Sequence, residues 1–464
     1  MSSSRFDPRA PKRLFAAGDE LVSREEAQRI IQSALKLSKA DACEVNLGGG
    51  RQRNVRFAAN QMSTAGMVTD LSLVVSSSFG PKHAITTTND LSPEGIERAV
   101  RSSEAIARLA PDDPEAMPLL SQTQVAALPQ SWDEATANLS ADACAKAALT
   151  ALGPARSKGS IQAAGFLQVD ANVNAMGNSA GLFHHHRGTK ANYTLTVRTD
   201  DGTGSGWAGS EEPQFGGIDF AQISARAIEK AELSRNPVAI EPGRYTVILE
   251  PQAVGDLVSL VAFYANARAA DEGRSPFVKA GGGNKLGEKI ADERITLYSD
   301  PYDPSILTDP FDGDGFPLTR RNWIERGVLK EMQYGRFWAK KQGKQPTGGV
   351  NNIVLAGGST TREQMIAGTQ RGILVSRLWY LREVDPRTLL YTGLTRDGTF
   401  LIENGRITKP IKNMRFNESP LFMLNNLDAL GPQERVAGIE ALIPCVMPSL
   451  KARDFNFTSL SDAV

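Results

Sequence analysis

The sequence predicts an α+β protein built in more than one unit, on three observations. Capped amphipathic helices intermix with β-branched runs in the first half, one helix followed mostly by strands fills the second, and Asn236-Pro237 with Pro242-Gly243 punctuates the chain between them. At 464 residues the chain is long enough for roughly three domains. The expected division is an N-terminal α/β unit over 1–125, a central strand-rich segment with a helix over 126–236, and a C-terminal unit over 237–464.

Ser23-Arg24-Glu25-Glu26 is a capping box, and Ala27, Ile30, Ile31, Ala34 and Leu35 follow it at helical spacing. Strand-like runs come next at Cys43–Leu47, Val55–Ala58 and Leu71–Ser76. Ser92-Pro93 places Pro at the first position of a second helix whose apolar residues are Ile96, Val100, Ile106 and Leu109. Ala110 to Pro118, rich in Pro and acids, reads as a linker before a third helix around Ala141–Leu152. From Phe166 to Trp207 the pattern is strand, including Tyr193–Val197, and a helix over Phe220–Leu233 ends before Asn236-Pro237. The C-terminal unit opens with a strand, Arg244–Leu249, then a helix with Pro251 at its first position and Val254, Leu257, Val258, Val261 and Ala262 on its apolar face. Strands follow at Ile295–Tyr298, Asn352–Leu355, Ile373–Leu378 and Phe400–Ile402, and Asn404-Gly405 before Ile407 marks a type I′ hairpin turn.

Lys+Arg and Asp+Glu balance at 52 each, so nothing electrostatic calls for nucleic acid or an anionic membrane as partner. Cys43, Cys144 and Cys445 are odd in number and far apart, which argues against a disulfide framework or a CxxC knuckle and for a reducing compartment. No stretch approaches about 18 uninterrupted apolar residues, and Met1 to Asp19 lacks the apolar core of a secretory leader. The expectation is a soluble, cytoplasmic protein.

Several short motifs invite chemistry. Gly177-Asn178-Ser179-Ala180-Gly181 fits the nucleophile elbow, but such an elbow leads from a strand into a helix, whereas strand-like sequence flanks this one on both sides; a hairpin turn is expected. Of His184, His185 and His186, at most two can share a strand face, and a solvated strand end is the simpler account. Gly204-Ser205-Gly206-Trp207-Ala208-Gly209 matches G-x-G-x-x-G without a following helix to hold a pyrophosphate, and reads as a glycine-rich turn. Asp300–Asp314 has Pro310 where a calcium loop ending in Asp312-x-Asp314-Gly315 needs its first ligand, and reads as a Pro/Asp surface loop. Gly281–Lys289 lacks the Gly-Lys-Ser/Thr ending of a phosphate loop and is expected to be a mobile loop that could act as a lid.

The most specific sequence is Thr392-Gly393-Leu394-Thr395-Arg396-Asp397-Gly398-Thr399-Phe400-Leu401-Ile402-Glu403-Asn404-Gly405-Arg406-Ile407, preceded by Gly372-Ile373-Leu374-Val375-Ser376-Arg377-Leu378-Trp379-Tyr380. Together with Arg56–Met62, Asn178–Gly181, Asp314-Gly315 and Glu325–Leu329 in matching order, it resembles the TldD/TldE (PmbA) family of metallopeptidases over nearly the whole chain. The resemblance implies a two-lobed α+β fold, a mixed N-terminal lobe to about residue 236 and a sheet-rich C-terminal lobe beyond, and dimerisation around a cavity.

Active TldD-type members carry H-E-x-x-x-H on the helix after the strand that opens the C-terminal domain, with a cysteine near the C-terminus as third zinc ligand. Here Pro251-Gln252-Ala253-Val254-Gly255-Asp256 stands in that place. Pro251 and Asp256 replace the two imidazoles and Gln252 the general base; proline offers no ligand atom, and a glutamine amide is not a useful proton acceptor near neutral pH. Cys445 lies closer to the Pro448–Lys451 run than the family's ligand cysteine and is read as a buried structural thiol. The resemblance therefore implies a TldE/PmbA-like chain with no catalytic residue, metal or cofactor of its own, and zinc in a TldD-type partner that carries H-E-x-x-x-H. It implies a peptide substrate met at Gly393, Leu394, Thr395 and Arg396. The alternatives are a stand-alone homodimeric peptide-binding protein with a degenerate protease fold, and a hydrolase using Ser179 or His184–His186.

Overall fold

The computed structural model describes residues 21–437 and 443–461; the stretch from Met1 to Asp19, expected to lack a leader core, lies outside the described residues. In the N-terminal lobe, β1 (Ala42–Ala58), β2 (Gln61–Phe79), β3 (Lys82–Thr88), β4 (Ile161–Asn178), β5 (Phe183–Thr199) and β6 (Ser205–Glu212) form one antiparallel sheet in the order β3-β2-β1-β4-β5-β6. The sheet runs across residue 125, with three strands from each side. Helices α1 (Arg24–Leu37) and α2 (Pro93–Leu109) pack on Val45, Leu47, Leu73 and Val75, while α3 (Ala141–Lys158) and α4 (Phe220–Leu233) pack on Val55, Phe57, Leu167, Tyr193 and Leu195. Because side chains alternate along a strand, the helix-free face carries the other set, including Glu44, Asn46, Gln52, Gln168, Asn172, Asn174 and Lys190.

Local signals placed the helices well. Ser23 and Ser92 each accept a backbone N–H of the first turn, and α4 spans the predicted residues. Four expectations need correction. Cys43–Leu47 and Val55–Ala58 belong to one strand: Gly48-Gly49-Gly50 stays paired with β2 and β4, and a Cβ on Gly50 would lie 2.1 Å from the Ala171 carbonyl oxygen. In α2, Ile106 and Leu109 face solvent at 52% and 88% exposure; the buried stripe is Ile96, Ala99, Val100, Ser103 and Ala107, small residues that hide the helical period. α3 runs past Leu152 to Lys158 with Pro154 inside it. Most of Gly204–Gly209 lies in strand β6, where α4 packs closely enough that a Cβ on Gly206 would sit 2.2 Å from the Ala227 carbonyl oxygen. Glycine serves helix-on-strand packing there, not a turn.

In the C-terminal lobe, β7 (Gly243–Leu249) leads into α5 (Pro251–Tyr264), followed by β8 (Leu297–Ser299), β9 (Arg321–Glu325), β10 (Val328–Leu329), β11 (Ile353–Leu355), β12 (Arg371–Asp385), β13 (Leu390–Glu403), β14 (Arg406–Pro410), β15 (Met414–Glu418), β16 (Leu427–Val436) and β17 (Cys445–Leu460). β7 pairs in parallel with β12 and antiparallel with β17, so β7-β12-β13-β15-β17 closes into a ring without a free edge. α5 packs Val254, Leu257, Val258 and Val261 into one core with Val247, Ile373, Val375, Leu450 and Phe455 from the ring. Asn404 and Gly405 have φ of 51° and 77°, both in the left-handed region a type I′ turn requires.

The fold is α+β, with two lobes. Contacts between them include Arg268 of the C-terminal lobe bidentate on Glu115 at 2.7 Å and Ser205 Oγ donating to Asp397 at 2.6 Å. The Pro/Asp loop also joins them: Phe311, 2% exposed, packs on Met176 and Leu182, so this stretch is not simply a surface loop.

Candidate functional site

The sequence-predicted positions gather around the start of α5. Pro251 fits the first helical position, which needs no N–H and whose φ proline presets. Gln252 and Asp256, four residues apart, share a helix face and are 7% and 1% exposed. Gln252 Nε2 donates to Asp256 Oδ1 at 3.0 Å, and Asp256 Oδ2 accepts the Leu378 N–H at 3.1 Å. Leu378 lies in β12, within the Gly372–Tyr380 segment, so Asp256 ties the helix to the strand ring.

Cys445 is 1% exposed; burial, with the charges of Asp256 and Glu211, pushes its thiol well above the ordinary range. Pro251 brings no ligand atom, and both Asp256 oxygens accept hydrogen bonds from within the protein. Among the described residues, no three His, Cys, Asp or Glu side chains gather to hold a metal.

Gly393, Leu394, Thr395 and Arg396 lie one strand further on, in β13. A Cβ on Gly393 would sit 2.7 Å from the Phe416 ring, and Leu394 is 7% exposed. Thr395, 1% exposed, donates to Asn413 Oδ1 at 3.3 Å and accepts the Met414 N–H at 3.0 Å. The Arg396 guanidinium lies 4.0 Å from the centre of the Trp379 ring, with its Nε 3.7 Å from Asp397 Oδ2.

Charged neighbours of α5 gave no local sequence signal because their partners are distant in the chain. Glu250, the residue before Pro251, accepts from Lys230 Nζ at 2.5 Å and Arg362 Nη1 at 3.0 Å. Burial pushes the Glu250 carboxyl up, but the two cations outweigh it and hold it below its usual range. Nearby, Arg435 Nε stands 3.4 Å from Glu212 Oε2.

Ser179 sits in the β4–β5 turn, as expected, and its Oγ accepts the Cys43 N–H at 3.0 Å. The histidines depart from expectation. His184 and His186 share one face and are 2% and 8% exposed, because the C-terminal lobe covers the strand end: the Phe311 ring lies 5.1 Å from that of His184, and Asp309 Oδ1 3.5 Å from His186 Nε2. Gly281–Lys289 is bound to its own lobe by Asn284 on Asp271 and Lys285 on the Pro276 carbonyl.

Family comparison agrees with this architecture. The profile of the PmbA/TldA metallopeptidase C-terminal domain matches residues 242–459, and that of the central domain matches residues 131–235. The chain belongs to the PmbA/TldD metallopeptidase family. Metalloprotease PmbA of Escherichia coli O157:H7 is 23% identical over 448 residues, covering 90% of this chain and 95% of that one. A metalloprotease of Methanothermobacter thermautotrophicus is 24% identical over 283 residues, 56% of this chain; the match spans only 60% of that relative. The crystal structure of TldE from Thermococcus kodakarensis superposes with a TM-score of 0.82 at 20% identity, covering 93% of this chain and 99% of that one. At that identity the likeness establishes the PmbA/TldD fold alone. Among the described residues, no helix is long and apolar enough to cross a membrane.

Proposed function

We propose that this chain is a non-catalytic TldE/PmbA-like subunit that binds no catalytic zinc and works with a TldD-type zinc peptidase on extended peptides. One observation carries the reading: at the start of α5, where the family's active members bear H-E-x-x-x-H, Asp256 is consumed in hydrogen bonds to Gln252 and Leu378. The local chemistry there is structural, and the helix keeps its place in the fold without ligands. The serine alternative lacks support, since the Ser179 hydroxyl accepts a backbone N–H and no hydrogen bond joins it to a histidine among the described residues.

The test is metal content and peptide cleavage of the purified chain, alone and after mixing with a TldD-type partner. The expected result is substoichiometric zinc and no cleavage alone, with chelator-sensitive cleavage only in the mixture. Stoichiometric zinc together with chelator-sensitive cleavage by the chain alone would overturn the proposal; a zinc-free stable homodimer that gains nothing from a partner would favour a stand-alone binding protein.

A further inference from the structure

We propose that the seam between the lobes carries a binding site for an oxyanion, a carboxylate or phosphate group, gripped by Arg377 of β12 and Arg396 of β13. The site does not depend on whether the chain is catalytic, and it goes beyond the peptide contact expected of Arg396.

Arg377 and Arg396 are direct cross-strand partners, so both side chains leave the same face of the β12–β13 pair. Like charges set opposite one another destabilise a sheet unless something offsets them. Each guanidinium lies on a tryptophan: that of Arg377 is 4.8 Å from the centre of the Trp207 ring, which belongs to the N-terminal lobe, and that of Arg396 is 4.0 Å from the centre of Trp379. Both face Asp397, whose Oδ2 stands 3.6 Å from Arg377 Nη1 and 3.7 Å from Arg396 Nε, beyond hydrogen-bond reach. The other oxygen of Asp397 is already engaged by the Ser205 hydroxyl at 2.6 Å.

A guanidinium carries five N–H donors, and among the described residues neither of these two donates a hydrogen bond to the protein. Arg377 Nε is enclosed without a partner, while the two side chains keep 16% and 21% exposure, so a ligand can reach them from outside. The charges acting on Arg396 are those of Asp397, of Arg198 on β5 and of Arg377, which makes three cations against one carboxylate. Burial, with Arg198 and Arg377, holds the Arg396 guanidinium below its ordinary range against the pull of Asp397, and it stays charged near neutral pH. The excess is local, since Arg435 is matched by Glu212 and Lys190 by Glu211. An oxyanion supplies both things the pair lacks: negative charge, and paired oxygens that fit the planar guanidinium forks. A cation would meet repulsion there, and a neutral amide would leave the charge unbalanced.

The probes are inorganic phosphate and succinate, each titrated by isothermal calorimetry into the full chain in chelator, with chloride holding the ionic strength constant. One-site binding at about millimolar affinity or tighter is expected from at least one of them. Binding of phosphate alone would assign the site to a phosphate group, and binding of succinate alone to a carboxylate. Arg377→Gln and Arg396→Gln should each weaken it at least about tenfold, the loss of a charge-assisted hydrogen bond, while Arg396→Lys should retain part of it. Arg29→Gln, which removes an exposed charge on α1, should leave it unchanged. The bound probe should raise the melting temperature of the wild type and not that of the two glutamine variants; arginines with a purely structural role would lower the unliganded melting temperature and leave the ligand-induced rise in place. No saturable binding of either probe, unaltered affinity in both glutamine variants, or an equal loss in Arg29→Gln would each overturn the proposal.

Discussion

Replacing Asp256 separates a charge role from a hydrogen-bonding one. In Asp256→Ala, the Leu378 N–H loses its acceptor inside a core where Asp256 is 1% exposed, and Gln252 Nε2 loses its partner. An orphaned buried donor costs about 1–3 kcal/mol, so two of them, one on a 7% exposed side chain, bring the loss to about 2–5 kcal/mol. For a unit the size of the C-terminal lobe, each kcal/mol lowers the melting temperature by about 2–4 °C, so a fall of roughly 4–20 °C is expected by calorimetry. Asp256→Asn keeps an acceptor for the Leu378 N–H, and a flipped Gln252 amide can accept from the new carboxamide; its cost should stay within about 1 kcal/mol. Equal losses in the two variants would mean that the negative charge matters, and a loss below about 1 kcal/mol in Asp256→Ala would mean that the hydrogen bonds do not hold the helix to β12. Either result would undo the structural account of this position.

Gly206→Ala drives a Cβ to 2.2 Å from the Ala227 carbonyl oxygen, so α4 must shift; a loss of about 1–3 kcal/mol or more is expected in urea unfolding, and an unchanged midpoint would contradict the close packing. Burial, reinforced by Asp314, raises Glu44 to about 7 from an ordinary 4.5, so the folded state binds its proton more tightly than the unfolded one. Its contribution to stability is full below about pH 4.5 and lost as pH rises through about 7; Glu44→Gln should therefore be more stable relative to wild type at pH 8 than at pH 4.5, and parallel pH profiles would refute this. Cys43, Cys144 and Cys445 are all buried with thiols pushed above their ordinary range, so a disulfide reagent at pH 8 should label them only after unfolding; a fast-reacting thiol in the native protein would contradict the burial.

The sequence by itself determined what short-range physics controls. Ser23, Ser92 and Pro251 mark helix starts because capping acts within one turn, and Asn404-Gly405 marks its hairpin because two adjacent residues must take positive φ. Pro251, Gln252 and Asp256 could be singled out from sequence because the motif they are proposed to replace is local, and their buried place at the start of α5 came from the tertiary structure. Tertiary structure decided everything set by partners far along the chain. Ser205–Gly209 pairs with β5 as strand and lies under α4, His184 and His186 became buried because the Asp309–Phe311 loop covers them, and Glu250 became a shared anchor for Lys230 and Arg362. The closure of β7-β12-β13-β15-β17 likewise joins residues some 200 positions apart, as Leu249 to Leu450, and no periodicity in either strand records which edge it will meet.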